Sequence, residues 1–163
     1  MSRYAKLIAR LKQEIEQLEQ VVERCAEIWD QAQSSGDNRY VDGVVLNLQS
    51  FYTGVERVLE LAINEIDQDH PEGANWHQAL LQTASTVVPK LRPAIISSET
   101  RNTLDRYRGF RHVARNVYPF SIDSEQVAPL MKSLWETFDL FRKDISRFIE
   151  SLEQSELDHK DSD

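Results

Sequence analysis

The stretch YAKLIARLKQEIEQLEQVVERCAEIW, residues 4–29, decides the fold class of this chain. Its large apolar side chains recur at alternating spacings of four and three residues, which is the seam of a long amphipathic helix packed against other helices. Charged residues occupy most of the positions between them. The segment SSGDN, residues 34–38, interrupts the pattern and predicts the end of this helix. The seam consists of Tyr4, Ile8, Leu11, Ile15, Leu18, Val22, Cys25 and Trp29.

The middle of the chain predicts a second long helix and a short one. The second helix carries its apolar side from Val41 to Ile66 and ends near Asp67, before the turn-forming sequence DQDHPEG. Asn75 has the character of an N-cap and opens a short helix that reaches about Val88. Pro89 and Pro93 then predict an extended crossing, because proline restricts both its own backbone and that of the preceding residue.

The last third predicts two more helices. One begins at Ser97 or Ser98 and is stopped by Pro119, and the other follows an N-cap at Asp123 and carries an apolar stripe over residues 127–152. The tail, residues 155–163, is polar, and we expect it to be disordered. The fold predicted is all-α: an antiparallel up-and-down bundle of four main helices plus a short extra helix, in one domain over residues 1–154.

The amino-acid composition argues against several classes of function. The formal net charge of −8 argues against broad coating of nucleic acid, although a focused basic patch can still attract phosphate. No apolar run approaches the ~18 residues of a membrane span and no signal peptide is visible, so we expect no membrane association and a cytoplasmic location. The single cysteine, Cys25, lies on the seam of the first helix and is interpreted as a buried structural thiol. Neither a metal site nor a cofactor is expected.

Basic residues concentrate in RNTLDRYRGFRHVARNVY, residues 101–118, which contains five arginines and one histidine. At 100° per residue, a helix formed by this segment has one basic face and one apolar face. We expect the basic face to be exposed to solvent and to bind phosphate, and the apolar face to contact the core. The phosphate face consists of Arg108, Arg111, His112 and Arg115, with Tyr118 at its edge; the core face consists of Phe110, Val113, Ala114 and Val117.

Part of this segment resembles a known family. RHVARNVY, residues 111–118, resembles the signature of HepT-like proteins of the HEPN superfamily, in which an arginine is followed by four residues, a histidine, one residue and a tyrosine. Three preceding segments are also similar to helices of a HepT-like branch: LNLQSFYTGVERVLELAINEID at 46–67, PEGANWHQALL at 71–81 and KLRPAIISSET at 90–100. The resemblance covers roughly residues 35–150.

The resemblance implies a function as well as a fold. It implies an all-α homodimer whose signature helices meet in a composite cleft. It also implies a metal-independent endoribonuclease that acts as a toxin, on tRNA or mRNA, and is neutralised when a minimal nucleotidyltransferase antitoxin attaches AMP to the signature tyrosine. Arg111 matches the signature arginine and Tyr118 the signature tyrosine, whereas Asn116 stands where the family has histidine.

That departure affects catalysis directly. An imidazole transfers protons near neutral pH, whereas an asparagine amide donates and accepts hydrogen bonds but does not titrate. His112 is the only imidazole of the basic helix, and it is the candidate to replace the missing histidine. In this hypothesis Arg111, Arg108 and Arg115 bind phosphate, while Asn116 orients the substrate.

Two other hypotheses remain open. The chain can be a non-catalytic binding or regulatory partner of a nucleotidyltransferase, still with Tyr118 as an AMP acceptor, or a dimeric helical scaffold that does not contact nucleic acid. Elsewhere, Glu56 and Arg57 are interpreted as a buried polar network or a dimer contact. His77 is interpreted as one half of a partly exposed surface pair with Trp76.

Overall fold

The protein is all-α, as the sequence predicts. The computed structural model describes residues 3–162. Five α-helices follow one another, and a short 3₁₀ turn, Pro119–Ser121, precedes the last. Within the described range no helix is long and apolar enough to cross a membrane. The helices are α1 (Ala5–Ser35), α2 (Arg39–Ile66), α3 (Trp76–Ala84), α4 (Ser98–Ala114) and α5 (Ser124–Lys160).

Helices α1 and α2 form an antiparallel hairpin. Gly36 ends α1 with a left-handed backbone (φ 67°), and its N–H is donated to the carbonyl of Ala32. Cys25 of α1 lies beside Val44 of α2, whereas Leu18, which comes earlier in α1, lies beside Gly54, which comes later in α2. The two helices therefore run antiparallel. A Cβ on Gly54 would lie 2.4 Å from Leu18 Cδ2, so any larger residue at this position would require the Leu18 side chain to shift.

The seam predicted for α1 is confirmed by burial. Leu11, Leu18 and Val22 are among its fully buried side chains, and Tyr4, Ile15 and Trp29 pack at the margin of the core. Cys25 is buried, as predicted, and burial raises the pKa of its thiol to about 12. A thiol held in its protonated form is not a nucleophile, because the thiolate is the reactive species.

Helix α5 runs antiparallel to α1 and begins with the predicted cap. The Asp123 carboxylate accepts the N–H of Gln126, whose side-chain oxygen accepts the N–H of Asp123, so the two residues form a capping box. The prediction of disorder after residue 154 disagrees with the structure, where α5 continues to Lys160. Residues 155–160 contain no glycine or proline, and the Glu156 carboxylate accepts the backbone N–H of Tyr4 at 2.6 Å, which ties these last turns to the start of α1.

Helix α3 is shorter than predicted, and the segment after it is not an extended crossing. The Asn75 side chain makes no capping hydrogen bond, and the helix ends at Ala84 instead of Val88. The buried guanidinium of Arg92 donates to the carbonyls of Thr83 and Thr86 and pairs with Asp67, so carbonyls at the end of α3 are bound by a side chain. The chain then turns back tightly instead of crossing in extended form, with a β-bridge between Val88 and Arg92.

Helix α4 begins where predicted and ends early. The Ser97 hydroxyl accepts the N–H of Thr100 at the N-terminus. The last helical residue is Ala114, because the Asn116 side-chain amide donates to the carbonyl of His112 at 2.7 Å and caps the helix there. The prediction that the helix extends to Pro119 is therefore wrong, and Tyr118 lies outside it.

Candidate functional site

The inward face of α4 differs from the predicted one and includes an arginine. Leu104, Tyr107, Arg111 and Ala114 point into the protein, and Arg111 is only 6% exposed. Val113, predicted for the core face, is instead 52% exposed. The helix is therefore rotated relative to the prediction from the amphipathic pattern. The physical reason is that α2 supplies a buried carboxylate opposite Arg111, which compensates a charge that would otherwise remain in water.

That carboxylate belongs to Glu56, which is 3% exposed. Arg111 Nη1 lies 2.5 Å from Glu56 Oε1 and also donates to the Thr53 hydroxyl at 3.1 Å. The guanidinium carbon lies 4.8 Å from the centroid of the Tyr52 ring, a cation–π geometry. Three residues of α2, one helical turn from first to last, thus hold the Arg111 side chain in place.

The Tyr52 hydroxyl lies beneath this cluster and has an unusual environment. Over residues 3–162 it is the only fully buried side-chain nitrogen or oxygen without a hydrogen-bond partner. Burial, and then the charge of Glu56, raise the pKa of Tyr52 above its ordinary value. The phenol therefore stays neutral and does not transfer protons, and its ring packs against the Arg111 guanidinium.

His77, from the start of α3, completes the cluster. Its Nδ1 lies 2.6 Å from Glu56 Oε2 and 2.9 Å from Arg111 Nη2. The Trp76 ring packs against the imidazole, with ring centroids 3.7 Å apart and the ring planes tilted by 33°. The predicted pairing with Trp76 is confirmed, but the imidazole also joins the buried ion pair and so has a second role. Glu56, His77 and Arg111 come from three different helices and are called the charged triad below.

Two members of the charged triad, His77 and Arg111, line a surface pocket of about 330 Å³, and Glu56 lies behind them as their partner. Arg108 binds Asp105 through Nε at 2.6 Å, while none of the hydrogen bonds of residues 3–162 involves its two terminal amino groups. Arg115 is exposed and forms no ion pair within the described part of the chain. The pocket is lined by His77, Arg108, Arg111, His112, Arg115 and Asn116. Guanidinium groups at such a concave surface can bind a phosphate or another small anion.

The structure thus brings together five of the six site residues predicted from the sequence. Asn116 lines the pocket, although one of its amide hydrogens is committed to the helix cap. Tyr118 is not among the lining residues; it is 73% exposed and stacks on Phe120 with ring centroids 5.6 Å apart. Sequence reasoning did not assign Glu56 and His77 to the site. Glu56 gave one signal, since a glutamate between Tyr52 and Leu59 on an apolar helix face requires a buried partner.

No metal centre accompanies this arrangement in residues 3–162, where no group of three or more His, Cys, Asp or Glu side chains is placed to hold an ion. The side chains that line the pocket offer guanidinium groups to bind anions and imidazoles to transfer protons.

Comparison with known proteins identifies the family to which this chain belongs. A family model described as HepT-like protein matches residues 43–152, which include α3, α4, most of α2 and most of α5. The chain belongs to the HepT-like family. No curated protein and no solved structure matches it. All six pocket residues and Glu56 lie inside the range matched by the HepT-like model.

Proposed function

We propose that this HepT-like protein is the RNA-cleaving toxin component of a toxin–antitoxin pair and that the pocket is its active site. One observation carries the proposal: three arginines and two histidines converge on one pocket of a protein whose net charge is −8. A cationic pocket lined with imidazoles, on an otherwise acidic protein, can bind a polyanion at the pocket and not over the rest of the surface. The substrate class is single-stranded RNA, including the loops of tRNA and mRNA.

The three arginines of the pocket differ in how available their guanidinium groups are to bind phosphate. Arg111 already shares its charge with Glu56, so the main phosphate ligands are Arg115 and the terminal amino groups of Arg108. These groups stabilise the negative charge that develops on phosphate oxygens during strand cleavage. Asn116 lines the same pocket and orients the substrate through its remaining amide hydrogen and its carbonyl. Cleavage needs no metal ion in this proposal, because an imidazole of the pocket moves the proton.

The active form proposed is a homodimer whose two pockets share one cleft. The support is an exposed apolar segment that follows directly on the pocket: Val113 is 52%, Val117 41% and Phe120 83% exposed. Contiguous apolar groups of this kind are commonly covered by another protein surface. A two-fold axis near them would bring two copies of α4 together.

Tyr118 is proposed as the residue that a nucleotidyltransferase antitoxin modifies with AMP. Its hydroxyl is part of a side chain that is 73% exposed, and it lies two residues beyond Asn116. In the reaction the tyrosine oxygen bonds to the α-phosphorus of ATP, pyrophosphate leaves, and the phenolic proton passes to a base of the transferase. The added phosphate would place negative charge beside a basic pocket and so compete with RNA.

The test is cleavage of total tRNA and of a generic single-stranded RNA by purified protein in EDTA. We expect wild type to cleave, and the double variant Arg108→Gln/Arg115→Gln to lose about 10²-fold or more in rate. Its binding to uncleaved RNA analogue should also depend less steeply on salt. The matched control is Arg106→Gln, since Arg106 is an exposed arginine of α4 that does not line the pocket.

The same preparations test the modification. After incubation with the antitoxin and ATP, mass spectrometry should find AMP on the peptide that contains Tyr118, and Tyr118→Phe should stay unmodified and active. Modification of another residue would contradict this part of the proposal.

The second candidate is a non-catalytic partner of a nucleotidyltransferase. Two observations favour it: Asn116, which the resemblance aligns with the signature histidine, caps α4, and the charge of Arg111 is compensated within the protein. Absence of cleavage by folded wild type, together with a stable complex between the protein and the transferase, would select this function over the first.

A further inference from the structure

We propose that His77 is the group that transfers the proton in this pocket, and that Glu56 holds its ring in the required tautomer. The proposal rests on the RNA-cleaving function proposed above. It moves the acid–base role from α4, which carries His112, to the start of α3.

The first step of the argument concerns the proton on Nδ1. Glu56 Oε1 pairs with a guanidinium at 2.5 Å, and the proposal takes this carboxylate as ionised because the adjacent guanidinium charge favours that form. An ionised carboxylate only accepts hydrogen bonds, so the 2.6 Å contact from Oε2 to His77 Nδ1 requires a hydrogen on Nδ1. Arg111 Nη2, which lies 2.9 Å from the same atom, is itself a donor and cannot bond to a protonated Nδ1.

The second step follows from the tautomer. With its hydrogen on Nδ1, a neutral imidazole carries a lone pair on Nε2. None of the hydrogen bonds of residues 3–162 involves Nε2 of His77. Nor is Nε2 among the buried side-chain atoms that lack a partner, a group whose sole member there is the Tyr52 hydroxyl. The atom is therefore accessible. Because His77 is among the residues that line the pocket, the proposal takes Nε2 as the basic nitrogen offered to a pocket ligand.

The third step compares the two histidines of the pocket. His77 is fixed on two sides, by the Glu56 carboxylate and by the packed ring of Trp76. His112 is exposed, and no side chain of the described residues forms a hydrogen bond to its ring. A general base transfers a proton efficiently only from a fixed geometry within hydrogen-bond reach of the reacting group. The carboxylate–imidazole pair is such an arrangement, whereas His112 would have to be ordered by the substrate.

The reaction proposed is internal transesterification of RNA. His77 Nε2 takes the proton of a ribose 2′-hydroxyl, and the 2′-oxygen forms a bond to the adjacent phosphorus. The bond from phosphorus to the 5′-oxygen breaks, and that oxygen takes a proton from water in the open pocket. The products are a 2′,3′-cyclic phosphate and a 5′-hydroxyl end, with no change in oxidation state. The proton on His77 then returns to solvent, while the guanidinium groups offset the charge of the phosphorane oxygens.

The variant that tests this step is His77→Gln, whose amide can still donate to Glu56 but cannot take a proton. We expect it to lose about 10²–10⁴-fold in cleavage rate, with RNA binding unchanged within about threefold. The control is His70→Gln, because His70 lies against the same Trp76 with ring centroids 6.1 Å apart but does not line the pocket. Added imidazole should restore part of the activity of His77→Ala, which a purely structural role of His77 would not allow.

A second measurement does not depend on any variant folding. The ¹⁵N chemical shifts of the His77 ring in wild type, at a pH where the ring is neutral, report which nitrogen carries the hydrogen. We expect hydrogen on Nδ1, and the alternative tautomer would overturn the proposal.

The outcomes separate the two proposals. Wild-type cleavage that survives in His77→Gln overturns the role of His77 and leaves the proposed ribonuclease intact. Equal loss in His112→Gln, with no imidazole rescue of His77→Ala, assigns the proton transfer to His112 and also overturns the role of His77. No cleavage by wild type overturns the ribonuclease and the proton-transfer step together.

Discussion

Two parts of α4 both bury polar groups but satisfy them differently: the part from its N-cap Ser97 to Tyr107, called the first half below, and the part from Arg108 to Ala114, called the second half. In the first half, the backbone N–H of Ser97 is donated to the buried Asp144 carboxylate at 2.9 Å. The Tyr107 hydroxyl donates to the Leu130 carbonyl at 2.7 Å and also contacts the Ser133 hydroxyl. In the second half, Arg111 shares Glu56 with His77, and this cluster reaches a pocket.

The difference distinguishes polar groups that stabilise the fold from polar groups that reach a pocket. A buried polar group whose partners all lie in the protein anchors the fold and has nothing left to offer a ligand. A buried ion pair contributes little net stability compared with apolar side chains packed in the same space, so the presence of such a pair beside a pocket favours a functional role. A buried cluster with an accessible atom is therefore a better candidate for a site than a buried polar group alone.

The largest effect expected is that of Glu56→Ala. It leaves Arg111 buried without its carboxylate, so we expect the free energy of unfolding to fall by about 3–5 kcal/mol. Urea denaturation at one fixed protein concentration measures it. Glu60→Ala, one turn further along α2, is the control, because Glu60 forms no ion pair among residues 3–162, and it should stay within about 0.5 kcal/mol of wild type. A loss below about 1 kcal/mol in Glu56→Ala would show that the pocket solvates Arg111, and the contrast between the two halves would disappear.

An intermediate effect is expected for Tyr107→Phe in the first half of α4. The substitution keeps the ring that packs edge-on against Phe51, and it removes the hydroxyl, so the Leu130 carbonyl loses a buried donor. We expect a loss of about 1 kcal/mol in unfolding free energy and no change in RNA cleavage. Tyr40→Phe, at a side chain that is 40% exposed, serves as the comparison. A change in cleavage would mean that the first half also belongs to the site.

The smallest effect on stability is expected for His112→Ala. The side chain is exposed, and removal should change the free energy of unfolding by less than about 0.5 kcal/mol. The same denaturation assay measures it. A larger loss would show that the ring is held in place, and would restore His112 as a rival to His77 for proton transfer.

Much of the fold could be predicted because it rests on local, periodic signals. The four-three spacing of α1, the apolar sides of α2 and α5 and the capping box at Asp123 each act within a few turns of one helix. The ends of α3 and α4 were predicted less well. Arg92, eight residues beyond Ala84, binds the carbonyl of Thr83 in the last turn of α3, and the Asn116 amide closes α4 early. Side-chain caps of this kind compete with helix propagation, and no periodicity reports them.

The sequence by itself determined the all-α class, the family resemblance and five of the six residues that line the pocket. Only the tertiary structure decided that Arg111 points inward and that His77 meets it. The physical reason is that a helical wheel ranks faces by average hydrophobicity, whereas a charge enters the interior when another element supplies its counter-charge. Glu56 is 55 positions from Arg111 in the chain and 2.5 Å from it in space, so folding alone brings the pair and its histidine together.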